Sequence, residues 1–450
     1  MNHSLTEGSL KKALLLFAIP LFFSQLFQTL YNTVDTVIIG YYLGDTSLAA
    51  VGAVAALFEL IVGFCTGFGQ GLGVIAAQKY GAGEMKVFRW SIGLSILLAL
   101  GLSAAVSVIM SSCMGGVLHL LKTPADIFQL SYDYIIVIAW GLVITMFYNL
   151  CAGMLRAVGD SRTPLVILFI SSVLNVFLDI YFLASLHMGV EGTAWATLIA
   201  QLVSLLICLF WIYFRRKQLV PSWHDFSWNS SLVKSLSEMG FSMALMSSIV
   251  SIGTLILQTG INPLGTVIIT GHTAARKLVS ILNLPVSALM MALSSFAAQN
   301  TGAGKLERVE KGIAFANRLG VYYSITLTII IVFTSRWLVT AISGTEDPLV
   351  QNTGSLYLLT NIPFFPVLAI LLNVRTSLQS MSMKLVPVLS SVIELVGKLL
   401  FTWLVVPFTG YLGVCFTEPV VWTAMMLFLA FFYLRNPLFV SHGIKAHLLR

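Results

Sequence analysis

Ala76-Ala-Gln-Lys-Tyr-Gly-Ala-Gly83 returns 221 residues later as Ala297-Ala-Gln-Asn-Thr-Gly-Ala-Gly304. One such match is weak, but others follow in order. Leu43-Gly44 and Leu264-Gly265 keep the same offset of 221, Leu155 and Pro164 pair with Leu378 and Pro387 at 223, and Met188-Gly-Val190 pairs with Leu412-Gly-Val414 at 224. Nearly constant offsets in sequence order are what a duplicated unit with small insertions leaves behind. The chain therefore reads as two copies of one fold.

Composition says what that fold is made of. Of 450 residues 58% are hydrophobic and only 10% charged, with a mean hydropathy of +0.92. Soluble domains carry about 25% charged residues, so this is an all-α integral membrane protein with little soluble mass. A bilayer core about 30 Å thick needs roughly 20 apolar residues per helix. Cutting at polar, Gly-rich or Pro-rich gaps gives spans at 12–40, 47–74, 88–112, 129–153, 163–185 and 190–214. A second set falls at 233–259, 268–297, 309–335, 350–374, 386–407 and 412–434, making twelve.

The basic residues test the cutting independently. Even-numbered gaps and the termini hold nearly all of them, among them Lys11, Lys12, Arg156, Arg215, Arg216, Lys217, Arg375, Lys384, Lys445 and Arg450, whereas odd-numbered gaps hold only Lys122 and Arg336. The positive-inside rule then puts both termini in the cytoplasm. Six helices are an even number, so both copies enter from the same side. They are expected to be parallel repeats about an axis along the membrane normal, with a cavity between lobes. The division expected is an N-terminal lobe at 1–214, a cytoplasmic linker at 215–238 and a C-terminal lobe at 239–450. The net charge of +7 sits in short gaps between apolar runs, which fits loops at an anionic membrane surface and not nucleic-acid binding. Five scattered cysteines read as small core residues, and the run after Lys11-Lys12 reads as a retained first span and not a cleaved signal.

The polar residues inside the spans carry the chemistry. Val173-Leu-Asn-Val-Phe-Leu-Asp179 places Asn175 and Asp179 one turn apart on one face of the fifth span. A charge near mid-membrane costs roughly 2.5–3.5 kcal/mol on insertion scales, so it requires a partner, a cavity or a role. Asp35 in the first span is the comparable acid. At the repeat offsets Asp35 corresponds to Ile256, Asn175 to Lys398 and Asp179 to Thr402. The second copy keeps its helices without these acids, so they are not needed merely to build the fold. Tyr31 and Asn32 lie one turn before Asp35, and Thr197 sits in the sixth span. Carboxylate, amide and hydroxyl oxygens are hard ligands, suited to Na⁺ or to holding a proton. Glu59, Arg276, Lys277, Glu394 and Lys398 are candidate lining of a substrate cavity, with Glu394 and Lys398 an internal ion pair. Pro20 bends the first span or marks its hinge, and Pro285, Pro363 and Pro366 invite the same reading.

No catalytic constellation stands out: there is no Walker A lysine motif, HExxH, GxSxG or histidine cluster, so the chain is not expected to be an enzyme or a nucleotide-driven pump.

The two six-helix halves with their Gly-Ala-Gly loops, Asp35 in Tyr31-Asn-Thr-Val-Asp-Thr36, and Arg156-Ala-Val-Gly-Asp-Ser-Arg-Thr-Pro164 leading to Asn175 and Asp179 resemble the multidrug and toxic-compound extrusion (MATE) family along essentially the whole chain. The seventh and tenth spans lack the acids of other branches, which points to the bacterial DinF-like branch. The resemblance implies a V-shaped, two-lobe secondary transporter that exports small amphipathic, often cationic compounds by antiport with H⁺ or Na⁺. It also implies alternating access, and a coupling site at Asp35, Asn175, Asp179 and Thr197. The protein is then expected to be a multi-pass monomer in the inner (plasma) membrane, contacting lipid and needing no cofactor beyond its coupling ion. The alternative is a lipid or lipid-linked-precursor flippase of related fold, for which basic Arg276, Lys277 and Lys398 would suit anionic head groups.

Overall fold

The computed structural model describes residues 5–121 and 123–449; Lys122 and Arg450, counted among the basic residues above, lie outside the described residues. Among the described residues every regular element is helical. The first copy comprises α1 (Leu10–Gly81), α2 (Met85–Leu120), α3 (Ala125–Trp140), α4 (Leu142–Ala157), α5 (Arg162–Ile180) and α6 (Val190–Arg215). The second comprises α7 (Ser230–Ile261), α8 (Thr266–Leu282), α9 (Leu284–Gly302), α10 (Leu306–Ser343), α11 (Pro348–Asn361), α12 (Phe365–Ser380), α13 (Leu385–Leu400), α14 (Val406–Thr409) and α15 (Tyr411–Leu434), with a short α16 (Pro437–Ser441) after it.

These helices resolve into the expected spans. At about 1.5 Å per residue, the 72 residues of α1 far exceed one bilayer. Gly44 divides it, at φ 75° and ψ −176°, a backbone conformation that is essentially glycine's alone. Gly265, its repeat partner, separates the seventh and eighth spans at φ 100° and ψ 159°. Among the described residues nine helical runs are long and apolar enough to cross a membrane, and the pairs α3–α4 and α8–α9, bent by 48° and 41°, qualify as two more. With α1 taken as two spans the count is twelve. Pro285 sits just past the second bend, as its position predicts. The first bend, at Gly141, carries no proline; a Cβ there would collide with the Leu198 side chain. Pro363 lies within the 3₁₀ turn Ile362–Phe364 between α11 and α12, and Pro366 is the second residue of α12.

The duplicated Gly-Ala-Gly stretches are matched helix ends. Ala82 N–H donates to the Gln78 carbonyl and Ala303 N–H to that of Gln299, each at 2.9 Å, and Gly83 and Gly304 then turn left-handed at φ 73° and 71°. Both helices are closed by one αL cap.

The described residues form two compact units, 23–248 and 5–22 with 249–449. The expected lobes 1–214 and 239–450 thus exchange the opening halves of spans one and seven in space. In the first unit, Gly67 and Gly71 let α1 lie backbone-to-backbone on α7; a Cβ on Gly71 would stand 2.5 Å from the Met239 carbonyl oxygen. Such small-residue contacts hold helices together where the hydrophobic effect does not distinguish protein from lipid. In the second unit, Leu14, Phe17 and Leu21 share a core with Leu289, Phe296 and Ile313. Arg308 fixes the preceding residues by donating to the Gly8 and Glu7 carbonyls at 2.8 and 2.9 Å. The linker is also ordered: Ser222 and Asp225 form a capping box, and Gly93 of α2 lies against the Asp225 carbonyl.

Candidate cation-coupling site

Helix α5 carries the site on a narrow buried stripe. Ser171, Asn175 and Asp179, one turn apart in succession, are buried, whereas Phe169, Val173 and Phe177 are exposed. This inverts the soluble amphipathic helix, as expected when the solvent is lipid. Hydrogen bonds tie the stripe to α6: Ser171 Oγ donates to the Ala200 carbonyl at 3.0 Å, and Asn175 Nδ2 to Thr197 Oγ1 at 3.4 Å. The Gly-Asp-Ser-Arg-Thr-Pro segment positions the start of α5. Asp160 accepts from the Thr163 N–H and hydroxyl at 3.0 Å each and pairs with Arg216 beyond α6 at 2.8 Å. At the other end a π-helical turn, Tyr181–Ser185, begins two residues after Asp179.

From α1, Tyr31 and Asp35 face this stripe. Tyr31 lies near Thr197 and both acids, and the Asp35 and Asp179 carboxyls lie close enough for a proton to bridge them. As carboxylates they have no such bridge: Asp35 Oδ1, both Asp179 oxygens and Asn175 Oδ1 are buried without a donor. Two facing carboxylates repel in a poorly solvated site, and a positive charge between them removes that penalty. The donor set is all hard oxygen, which fits H⁺ or Na⁺. Groups of three or more His, Cys, Asp or Glu side chains able to hold a metal are absent among the described residues; the acids here number two, with amide and hydroxyl completing the set.

The structure thus brings Asp35, Asn175, Asp179, Thr197 and Tyr31 together. Asn32 is not among them: it is exposed, and its carbonyl accepts from Thr36. Tyr134 of α3, 8% exposed, belongs to the cluster, close enough to feel the charges of Asp35 and Asp179. Nothing in the linear pattern singles it out, because an aromatic in an apolar span reads first as a packing residue. Pro20 is buried within continuous helix, two residues before α1 passes from one compact unit to the other.

The second unit holds different chemistry. Lys398 and Glu394 are paired at 2.8 Å and buried, as expected. Arg276 answers Glu418 at 3.7 Å. All four line a cavity of about 380 Å³ together with Arg375, which the basic-residue count assigned to a loop and which lies on α12. Its repeat partner is Ala152, a signal that the charge belongs to one copy alone. Lys277 is exposed and outside this cavity, and Glu59 lies on an exposed face of the first unit.

The profile of a family described as MatE matches residues 20–181 and again residues 242–404, so the second match begins 222 residues after the first. A "Probable multidrug resistance protein YpnP" of Bacillus subtilis is 29% identical over 316 residues, covering 68% of each chain. The "DNA damage-inducible protein F" of Escherichia coli is 31% identical over 207 residues, 45% of this chain and 44% of that protein. A crystal structure of MATE in the bent conformation superposes with a TM-score of 0.90 at 22% identity, covering 98% of both chains. With the profile matched in both halves, this chain belongs to the MatE family, the multidrug and toxic-compound extrusion transporters.

Proposed function

We propose that the protein is a secondary exporter of small amphipathic compounds, working by antiport with H⁺ or Na⁺ through Asp35, Asn175, Asp179 and Thr197. The observation that carries this is the convergence of four buried, donor-less oxygens from α1 and α5. A cation there replaces the missing donors and relieves the repulsion between the acids. Its arrival favours one packing of α1 against α5 and α6, and its departure the other. Because ligand and cation bias one conformational equilibrium, cation influx can drive substrate out by alternating access. Pro20, at the passage of α1 between the compact units, is the natural place for that helix to bend.

Drug export comes from the names of relatives such as the Bacillus subtilis multidrug resistance protein, and those names together with the family match favour an exporter over the flippase. Placement in the inner membrane with both termini cytoplasmic rests on the lopsided basic residues, and the chain is taken to act as a monomer. Membership of a transporter family also fits the expectation that it is no enzyme. Everted vesicles test the reading. With ethidium as substrate and pH and Na⁺ gradients imposed separately, one gradient should drive accumulation, and Asp35→Asn or Asp179→Asn should abolish it. Full gradient-driven uptake in both variants would remove the coupling site from this position.

A further inference from the structure

The cavity of the second unit has a charge that its own side chains do not cancel. Three cations line it, Arg276, Arg375 and Lys398, against two carboxylates, Glu394 and Glu418. Lys398 stands 2.8 Å from Glu394 and 4.0 Å from Glu418, and Arg276 stands 3.7 Å from Glu418. Both carboxylates are thereby engaged by these two cations. Arg375 is left over: Glu394 is the acid whose charge it feels, its Nη1 is buried with no hydrogen-bond acceptor, and the side chain is partly exposed where it lines the cavity. A buried guanidinium N–H without an acceptor is costly, and the planar fork of arginine matches an oxyanion in shape and charge.

Beside Arg375 the wall is apolar, with Leu368, Leu372, Trp422 and Met425, and the volume of about 380 Å³ falls within the range of drug-sized sites. We infer that this cavity binds the carboxylate end of an amphipathic organic acid or zwitterion, with Arg375 as its principal donor and the Trp422 side holding the apolar body. One negative charge is what the net +1 of the lining accommodates; a purely cationic compound would add to it. Calling this ligand a substrate rests on the exporter reading; its binding does not.

The test uses the purified full-length protein in nanodiscs of phosphatidylcholine, titrated with dansyl-norleucine and with its uncharged methyl ester. The acid should bind at least about tenfold more tightly than the ester, the scale of one charge-assisted hydrogen bond. Arg375→Gln should level the two, and Arg375→Lys, which keeps the charge and loses the fork, should restore part of the preference. Equal binding of acid and ester to the unaltered protein would overturn the inference, whatever the variants do. Displacement of the acid when phosphatidylglycerol replaces part of the bilayer would also overturn it, by assigning the oxyanion to lipid. No gradient enters the measurement, so failed coupled uptake leaves a positive result standing, and a failed titration leaves the coupling site untouched.

Discussion

The two units share a backbone and differ in what they bury. Gly44 and Gly265 break equivalent helix pairs, Gly83 and Gly304 end equivalent helices, and π-helical turns close both α5 and α13. Inside that common frame the polar groups do not repeat. Asp35, Asn175 and Asp179 face Ile256, Lys398 and Thr402 across the duplication, while Arg276, Arg375, Glu394 and Glu418 face Ala55, Ala152, Ser171 and Ala194. Neither set is required to form the six-helix unit, since each copy folds without the other's. Each charge is costly within a membrane, and the units meet the cost differently. The first leaves two acids without donors, a site that becomes stable by taking up a cation. The second balances two acids against three bases and is left with one positive charge. On the coupling site and the organic-acid site proposed above, a duplicated scaffold would separate the ion that supplies energy from a group on the molecule moved.

The largest effect should come from unbalancing the second unit. Glu394→Gln raises the cavity's charge from +1 to +2 and leaves Lys398, 3% exposed, without its nearest acid; breaking a buried pair in this way costs about 3–5 kcal/mol. Lys398→Gln brings the same cavity to zero and should cost distinctly less. Guanidinium or thermal unfolding in detergent measures both, and equal losses would sink the charge balance described for this cavity.

In the first unit the corresponding break is functional. Asp179→Asn should reduce gradient-driven uptake by about a hundredfold, the scale of a lost charged ligand worth roughly 3 kcal/mol. Its repeat counterpart, Thr402→Val, should change uptake less than about twofold. If the two variants were equally impaired, the asymmetry between units would not extend to coupling.

Much of this was legible in the residues themselves. Span lengths follow from bilayer thickness, and the basic residues mark every second gap. An amide and an acid one turn apart in an apolar run announce a site without knowledge of its partners. Other features depend on direction, which a linear pattern does not carry. Arg276 and Lys277 are neighbours in sequence yet about 100° apart around a helix, so one lines the cavity and the other is exposed. Arg375 lies close enough to a helix end to count as a loop charge, although it lines the cavity. The exchange of residues 5–22 and 230–248 between units is a matter of long-range packing, which small residues such as Gly71 permit without predicting.

That exchange supplies a smaller test. Gly71 approaches α7 so closely that an added Cβ would stand 2.5 Å from the Met239 oxygen and 2.7 Å from Gly240 Cα. Gly71→Ala should therefore cost about 1–3 kcal/mol through overpacking. Its repeat partner is already alanine, Ala292, fully buried in the second unit. There the reverse change, Ala292→Gly, should cost about 1 kcal/mol from lost helix propensity. A harmless Gly71→Ala would mean that α1 and α7 are free to separate at this crossing.

The smallest effect concerns a turn that both units build with different residues. After α4, Gly159 adopts φ 85°; its N–H donates to the Arg156 carbonyl at 3.0 Å and the Asp160 N–H to that of Leu155 at 2.9 Å. After α12 the same two bonds recur 223 residues on, from Ser382 to Gln379 and from Met383 to Leu378, each at 2.9 Å. The left-handed residue there is a serine at φ 66°, where a side chain costs about 1–2 kcal/mol that glycine avoids. Glycine gives part of this back through the greater freedom of its unfolded chain. Ser382→Gly should therefore stabilise the protein by about 0.5–1 kcal/mol, and Gly159→Ser should destabilise it by a similar amount. Opposite signs in detergent unfolding would show one turn, built twice, with its strain confined to the second unit. A loss on Ser382→Gly would mean instead that the bonding of the serine hydroxyl outweighs the backbone cost, making the duplicated turn as specialised as the polar interiors.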